Sequence, residues 1–216
     1  MAAQEVEAPW CARLGSAAAE IGVTLDGVQT GRLWQLASLL RERNRQVNLT
    51  AVDTLEGILT VHVLDSLAVV PHLGGARRLA DVGTGGGFPG LPLAVACPGR
   101  HFTLLDGTHK KIRFVREAIE ALGLANAVPV VARAEQYRPA ECFDAVIVRA
   151  LGKLGDIVRV TQHLLVPHGV ILAMKGRYPE DELRSVPRGW RPEVVRLHVP
   201  GLDAERHLVR LQRPDV

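Results

Sequence analysis

From Arg77 onward, the chain alternates short apolar runs with stretches of helical periodicity. Between the second and third runs, Lys110–Leu122 places Ile112, Val115, Ile119 and Leu122 on one helical stripe. This βαβ alternation predicts an α/β fold with a mostly parallel, doubly wound sheet and helices on both faces. The predicted strands are Leu79–Val82, Phe102–Leu105, Val128–Val131, Phe143–Val148 and Val170–Met174.

The last part of the chain follows a different period. Val194–Val199 and Leu208–Gln212 alternate apolar and polar residues, and the loop between them contains Pro200-Gly201. Period-two alternation on both sides of a turn predicts an antiparallel hairpin at the edge of the sheet.

The first third of the chain is helical in pattern. We predict one helix with a buried stripe and a second helix that begins near Asp53, uses Glu56 in its cap and ends near Pro71. We therefore divide the chain into a helical extension, residues 1–75, and one compact domain, residues 76–216. The inward residues are Leu33, Leu36, Ala37 and Leu40 in the first helix, and Ile58, Val61, Leu64 and Leu67 in the second.

Composition excludes several classes of protein. The chain has 216 residues, 47% of them hydrophobic, which is enough for a real core and argues against disorder. A net charge of +3 permits a nucleic-acid partner without requiring one. Three cysteines without a C-x-x-C pair indicate reduced thiols, with neither disulfides nor a metal site. The acidic start is unlike a signal peptide, and the apolar runs are too short to span a bilayer, so we expect a cytoplasmic protein.

A glycine-rich loop follows the first predicted strand. The segment from Asp81 to Gly90 reads Asp-Val-Gly-Thr-Gly-Gly-Gly-Phe-Pro-Gly, and Pro89 stands where a helix could start. Glycines allow the backbone to approach a ligand closely. Asp106, at the end of the second strand, is placed to accept hydrogen bonds from ribose hydroxyls. The two features predict a nucleoside site at the carboxyl ends of the strands.

Two kinds of nucleoside fit this loop. Gly85, Gly87 and Gly90 match the G-x-G-x-x-G pattern of dinucleotide-binding proteins, so a nicotinamide cofactor is one interpretation. Asp81 favours the other, because a carboxylate beside the turn repels a pyrophosphate but suits a ligand with an ammonium and a sulfonium group. S-adenosylmethionine carries both cations and no phosphate.

The end of the fourth strand is where the reacting atom of the substrate is expected. It carries Arg149 and lacks the Asn/Asp-Pro-Pro-aromatic turn used for exocyclic amines, and Cys142, at the opposite end, is interpreted as a small buried residue rather than a nucleophile. A ring nitrogen such as guanine N7 needs no general base, and a guanidinium can hold a base edge or a phosphate. The alternative for Arg149 is a structural ion pair with Asp144 or Glu135.

Four further groups are candidates, each with a plainer alternative. Arg133-Ala134-Glu135 could meet adenine, or Glu135 could be a solvated loop charge. His62 and Asp65 could face one ligand, or form the polar rim of a helix. Lys110, Lys111, Arg113 and Arg116 could touch RNA phosphates, or be a solvated face. Lys175-Gly176 could bind substrate, or be a charged strand end.

Taken together, the motifs resemble the RsmG family, also called glucose-inhibited division protein B. The likeness starts near residue 30, and the first 25 residues match nothing that we can place. The segments that carry it are Asn48-Leu-Thr50, His62-Val-Leu-Asp-Ser66, the loop from Asp81 to Leu93, Leu104-Leu-Asp106, Lys111-Ile-Arg-Phe-Val-Arg116, Arg149-Ala150, Lys175-Gly176 and Pro200-Gly-Leu-Asp-Ala-Glu-Arg-His-Leu208.

The resemblance implies a class I S-adenosylmethionine-dependent methyltransferase with a Rossmann-like, seven-stranded sheet that ends in an antiparallel strand. It implies methyl transfer to N7 of a guanine in the 530 loop of 16S ribosomal RNA, with the RNA or the small ribosomal subunit as partner. We expect the protein to act as a monomer. Arg149 would then be the catalytic residue. The donor contacts would be Gly83, Phe88, Asp106, Ala134, Glu135 and Arg149.

Overall fold

A seven-stranded sheet organises the computed structural model, which describes residues 2–213. The strands lie in the order β3-β2-β1-β4-β5-β7-β6; the first five are parallel, and β7 runs antiparallel to both β5 and β6. The parallel sheet and the antiparallel hairpin at its edge are confirmed. The strand bounds are β1 Arg78–Val82, β2 His101–Asp106, β3 Ala127–Val131, β4 Phe143–Arg149, β5 Leu165–Lys175, β6 Arg191–Leu197 and β7 Arg206–Gln212.

The direction of the crossovers reverses between β1 and β4. From β1 the chain moves outward through β2 to β3, and it then returns to place β4 on the other side of β1. Crossover loops therefore diverge at the carboxyl ends of β1 and β4, which is where open α/β sheets leave a crevice for ligands.

Helices cover both faces of the sheet because successive strand residues point to opposite sides. The helix bounds are α1 Ala2–Glu20, α2 Gly27–Val47, α3 Leu55–Gly57, α4 Asp65–Leu67, α5 Gly90–Ala96, α6 His109–Leu122, α7 Leu154–Thr161 and α8 Glu180–Leu183, with 3-10 turns at Val70–His72 and Gln162–Leu164. Leu79 and Ile147 pack under the helices α1, α2, α5 and α6, whereas Ala80 and Val146 pack under α7 and the segment around the short helix α8.

The stripe predicted for α2 is confirmed, since Leu33, Leu36, Ala37 and Leu40 are all buried. Asp26 caps this helix in a reciprocal box with Gln29.

The second N-terminal helix differs from its prediction. It runs through α3 (Leu55–Gly57), a π-helical segment (Ile58–Leu64) and α4 (Asp65–Leu67). Thr54, not Asp53, caps it by accepting from the Gly57 amide. The wider π turn shifts the buried face, so that Val61 is only half-buried although an α-helical stripe placed it inside.

The first 25 residues supply part of the core. Trp10, Leu14 and Ala18 of α1 are buried against the other N-terminal helices. The Trp10 ring packs edge-on against Trp34 with the centroids 5.3 Å apart, and its Nε1 donates to the carbonyl of Leu55 at 3.2 Å. The helices found in residues 2–213 include none with the length and apolar character needed to cross a membrane.

Candidate active site

The carboxyl ends of β1, β2 and β3 open into a cleft of about 420 Å³. Four of the six residues predicted to contact the donor line this cleft, whereas Phe88 and Arg149 do not. The four are Gly83, Asp106, Ala134 and Glu135. Residues that lie up to 52 positions apart are brought together because the ends of parallel strands meet at one edge of the sheet.

The glycine loop forms one wall of the cleft and is tied to β2. The amides of Gly83 and Thr84 both donate to the Leu105 carbonyl, at 2.8 and 3.0 Å. Gly83 and Gly87 have φ angles of 75° and 89°, which favour glycine. A Cβ on Gly87 would lie 2.2 Å from Leu91 Cδ1, so the loop has no room for a side chain there.

Asp81 braces the loop from beneath and has no exposed surface. Its Oδ2 accepts from Thr84 Oγ1 at 2.6 Å and from the Gly90 amide at 2.8 Å, while Oδ1 has no hydrogen-bond partner. Burial raises the pKa of Asp81 to about 6, against the opposing effects of these two hydrogen bonds and of Arg149. The carboxyl group is therefore still mostly ionised at pH 7. Asp81 does not line the cleft, so its charge acts on the cleft from beneath the glycine loop.

Asp106 lies at the tip of β2 with little exposed surface and anchors both neighbouring loops. Its Oδ2 accepts from the Gly85 amide at 3.1 Å and lies 3.4 Å from Lys111 Nζ, and its Oδ1 accepts from the Thr108 amide at 2.9 Å. A carboxylate has about four lone-pair positions, so Asp106 retains acceptor capacity for ribose hydroxyls.

Arg149 ends β4 and points toward the N-terminal helical segment. Its Nη1 donates to the Val61 carbonyl at 3.2 Å and lies 3.3 Å from Asp65 Oδ2, and its Nη2 lies 3.3 Å from His62 Nδ1. The guanidinium thus has an ion-pair partner, but that partner is Asp65.

The two ion-pair partners suggested for Arg149 from the sequence are engaged elsewhere or lie apart. Asp144 accepts from the amides of Arg77 and Arg78 at the other end of β4, at 2.7 and 2.9 Å. Glu135 lies on the rim of the cleft and is exposed.

Phe88 is buried between the glycine loop and the π-helical segment. Its ring stacks on His62 with the centroids 4.8 Å apart, and the Arg149 guanidinium lies 5.7 Å from its centroid. Burial, together with the charge of Arg149, lowers the pKa of His62 to about 4, so the imidazole is neutral at pH 7. His62 and Asp65 both contact the guanidinium of Arg149, and a common ligand for the two residues stays a prediction.

Two participants were missed by sequence reasoning. Arg206 Nε donates to Asp65 Oδ1 at 2.8 Å, and Thr50 Oγ1 lies 2.7 Å from His62 Nε2. Both lie in segments that carried the family resemblance, but nothing in their local pattern predicts that they meet a residue more than ten positions away.

The remaining candidates have ordinary surroundings. Lys175 is bonded to the Gly152 carbonyl and to Glu182 at 2.6 and 2.7 Å. Cys142, expected to be buried, is half-buried before β4. In α6, Lys110, Arg113 and Arg116 are exposed, whereas Lys111 turns toward Asp106.

Comparison with known sequences gives consistent matches. The family described as rRNA small subunit methyltransferase G matches residues 29–209. A protein named ribosomal RNA small subunit methyltransferase G from Aromatoleum aromaticum is 49% identical over 207 residues, covering 94% of this chain and 98% of the relative. Its namesake from Methylococcus capsulatus is 50% identical over 194 residues, covering 89% and 94%.

Comparison with solved structures supports the fold. The N-methyltransferase NodS from Bradyrhizobium japonicum, in complex with S-adenosyl-L-homocysteine, superposes with a TM-score of 0.56 at 15% identity, covering 85% of this chain and all of its own. The tRNA (m1A58) methyltransferase TrmI from Aquifex aeolicus gives 0.57 at 14% identity, covering 71% and 69%. The sheet is therefore that of class I methyltransferases.

Proposed function

The chain belongs to the rRNA small subunit methyltransferase G family, and we propose that it transfers a methyl group from S-adenosylmethionine to N7 of a guanine in the 530 loop of 16S ribosomal RNA. The observation that carries the proposal is the glycine-walled cleft beside Arg149, at the carboxyl edge of a class I methyltransferase sheet. A protein of this family uses S-adenosylmethionine as its methyl donor.

The cleft suits the donor chemically. Asp106 would accept from the ribose hydroxyls, and the Ala134 amide with Glu135 would meet the adenine. The Gly83 backbone lines the cleft and, without a side chain, would pass close to the amino acid part. The buried charge of Asp81, with Oδ1 unpartnered, lies below the same turn and would favour a cationic ligand.

Phe88 would contribute indirectly to donor binding. Its ring is held between His62 and Arg149, and its amide donates to the Thr84 carbonyl at 3.0 Å. We therefore assign Phe88 the role of fixing the loop that carries Gly83 and Gly85 against the donor.

The chemistry proposed requires alignment rather than proton transfer. The N7 lone pair of guanine forms a bond to the methyl carbon while the bond from that carbon to sulfur breaks, and its electron pair stays on sulfur. No proton leaves N7, so no general base is needed. Arg149, at the end of β4 next to the cleft, would hold the base edge or a flanking phosphate in line.

A direct assay tests this function. The purified protein is incubated with tritiated S-adenosylmethionine and small-subunit RNA, and N7-methylguanine is mapped by strand cleavage at the modified base. We expect label at a single guanine of the 530 loop, and loss of about 100-fold in rate for Arg149→Lys, which keeps the charge but not the forked geometry. Label on protein, or at another atom of the RNA, would overturn the proposal.

A nicotinamide cofactor is the competing ligand, because the loop also matches the dinucleotide pattern. Titration with NADH, followed by its fluorescence, separates the two interpretations. We expect no saturable binding of NADH, whereas calorimetry with S-adenosyl-L-homocysteine should give a single binding site.

The partner proposed is the 16S ribosomal RNA or the small subunit that contains it, met in the cytoplasm by a monomeric enzyme. The exposed side chains of Lys110, Arg113 and Arg116 stand on α6, which starts three residues after the donor-site carboxylate Asp106. Phosphate contacts from this helix would bring RNA toward the cleft.

A further inference from the structure

Three charged side chains from distant parts of the chain meet beside the cleft. Asp65 comes from α4, Arg149 from the end of β4 and Arg206 from the start of β7. The Asp65 carboxylate lies between the two guanidinium groups, 3.3 Å from Arg149 Nη1 and 2.8 Å from Arg206 Nε. One oxygen faces each arginine, so both oxygens of the carboxylate are engaged by this pair of contacts.

Burial makes this arrangement costly. The Asp65 side chain is only 4% exposed, and the two arginine side chains are 24% and 21% exposed. Charges removed from water to this extent gain little or nothing in net stability compared with apolar side chains of the same volume. Stability alone is therefore a poor reason for the trio, and positioning of a guanidinium is a better one.

The hydrogen bonds and the ion pair described for the Arg149 guanidinium all come from one helical turn. Its Nη atoms meet the Val61 carbonyl, Asp65 and His62. These use three of the five N–H groups of the guanidinium, which leaves two to reach another ligand. A side chain held at three points loses less conformational freedom when it binds substrate.

His62 completes the holding geometry as a neutral ring. With the pKa of His62 lowered, its Nδ1 accepts from Arg149 while its Nε2 carries the proton and donates to Thr50. The same ring stacks on Phe88 of the glycine loop. The contacts thus link the donor loop and Arg149 through the N-terminal helical segment.

We propose that Asp65 is the positioning residue for Arg149: it holds the guanidinium at the end of β4 in the orientation used for methyl transfer, and Arg206 fixes the carboxylate from its other side. This role rests on the proposed function, because the orientation of Arg149 matters only if Arg149 aligns the guanine for methyl transfer. Asp65 itself is not among the residues that line the donor cleft.

The test compares three variants with the wild type. Asp65→Asn keeps the shape but removes the charge, and Asp65→Glu keeps the charge. Glu117→Gln is the matched control, because Glu117 also pairs with an arginine, Arg43, but in the contact between α2 and α6. Each is measured for donor affinity by calorimetry, for kcat and KM with small-subunit RNA, and for unfolding in denaturant.

We expect Asp65→Asn to lower kcat by about 100-fold, with donor affinity close to wild type. Asp65→Glu should recover part of kcat, and Glu117→Gln should leave it unchanged. Side-chain NMR of arginine Nε–H groups gives a second readout: the Arg206 signal, assigned with Arg206→Lys, should lose its distinct shift in Asp65→Asn.

The outcomes separate the two proposals. If the wild type methylates no guanine of the 530 loop, the proposed function fails. If it does, and folded Asp65→Asn keeps wild-type kcat, the positioning role is wrong. The positioning role would also be wrong if kcat fell only in step with the loss of stability, and if Glu117→Gln showed an equal fall. If Asp65→Asn does not fold, Arg206→Lys provides the test instead. An unaltered kcat in Arg206→Lys, together with an unshifted NMR signal of Arg149, would then overturn the positioning role.

Discussion

Asp81 combines two roles that conflict energetically. Its carboxylate receives hydrogen bonds from Thr84 and from the Gly90 amide at the start of α5, yet it is completely buried and one oxygen has no partner. An ionised group in this position costs stability. The charge is retained beneath the glycine loop, where a ligand carrying two cations would benefit from it.

Replacing Asp81 by Asn should therefore weaken the donor and stabilise the fold. We expect affinity for S-adenosylmethionine to fall roughly tenfold at pH 7.5, and affinity for S-adenosyl-L-homocysteine to fall less, because it lacks the sulfonium charge. Calorimetry with both ligands measures the difference. An equal loss for both ligands would contradict a role for the charge at sulfur.

The stability change should depend on pH in a defined direction. The folded pKa of Asp81, about 6, lies above its ordinary value of 3.8, so the folded state binds the extra proton and wild-type stability falls as pH rises from 4 through 6. Asp81→Asn should consequently be more stable than wild type by about 1–3 kcal/mol at pH 8 and lose this advantage as the pH falls from about 6 to about 4. Urea unfolding at the two pH values measures it.

At the level of elements, the glycine loop has no room for a side chain at Gly87. Gly87→Ala should destabilise the protein by about 1–3 kcal/mol, because φ is positive and the new Cβ would collide with Leu91. We also expect donor binding to be lost in calorimetry. Gly75→Ala, just before β1, is the control, since nothing lies within 4 Å of its Cβ position.

The basic face of α6 should act on RNA alone. The double variant Arg113→Glu, Arg116→Glu should lower affinity for small-subunit RNA at physiological salt and reduce the slope of log K against log salt by about 1.5. Donor affinity should not change. The same reversal at Arg188 and Arg191, exposed beside the amino end of β6 and thus far from the cleft, serves as the control. An equal effect of both pairs would indicate general charge attraction.

The π-helical segment shows how an element can depart from its local pattern. Apolar spacing predicted one α-helix from near Asp53 to near Pro71 with Val61 inside, whereas the observed π-helical turn buries His62, Val63 and Asp65 instead. Packing against the glycine loop and Arg149 decides this, because it offers polar partners to His62 and Asp65. No local pattern distinguishes a π turn from an α turn in such a short stretch.

On the scale of the whole molecule, the N-terminal helices and one face of the sheet share a single hydrophobic cluster. Trp10 and Leu14 of α1 belong to it together with Leu79 of β1 and Phe102 of β2. The division of the chain at residue 75 thus reflects a change in the sequence pattern. We expect the helical extension and the sheet domain to unfold together.

Trp10→Ala tests this expectation. It should destabilise the protein by about 3–5 kcal/mol, through the lost ring contacts and the cavity left behind, and unfolding in denaturant should remain a single transition. Val6→Ala, on the exposed side of the same helix, should change stability by less than about 0.5 kcal/mol. Two separate transitions would show that the extension folds independently of the sheet.

Periodicity and loop composition were sufficient to predict the seven strands along the chain and the helix between β2 and β3, because the apolar pattern in parallel strands and amphipathic helices is set locally. The same local chemistry placed Gly83, Asp106, Ala134 and Glu135 at strand ends, where they line one cleft. The π-helical turn and the buried first helix were decided only by packing. Packing also decided the position of Asp65 between Arg149 and Arg206, since Asp65 is 84 residues from Arg149 and 141 residues from Arg206 along the chain. Contacts over such separations depend on which faces the folded layers bring together, and no spacing within the sequence records that.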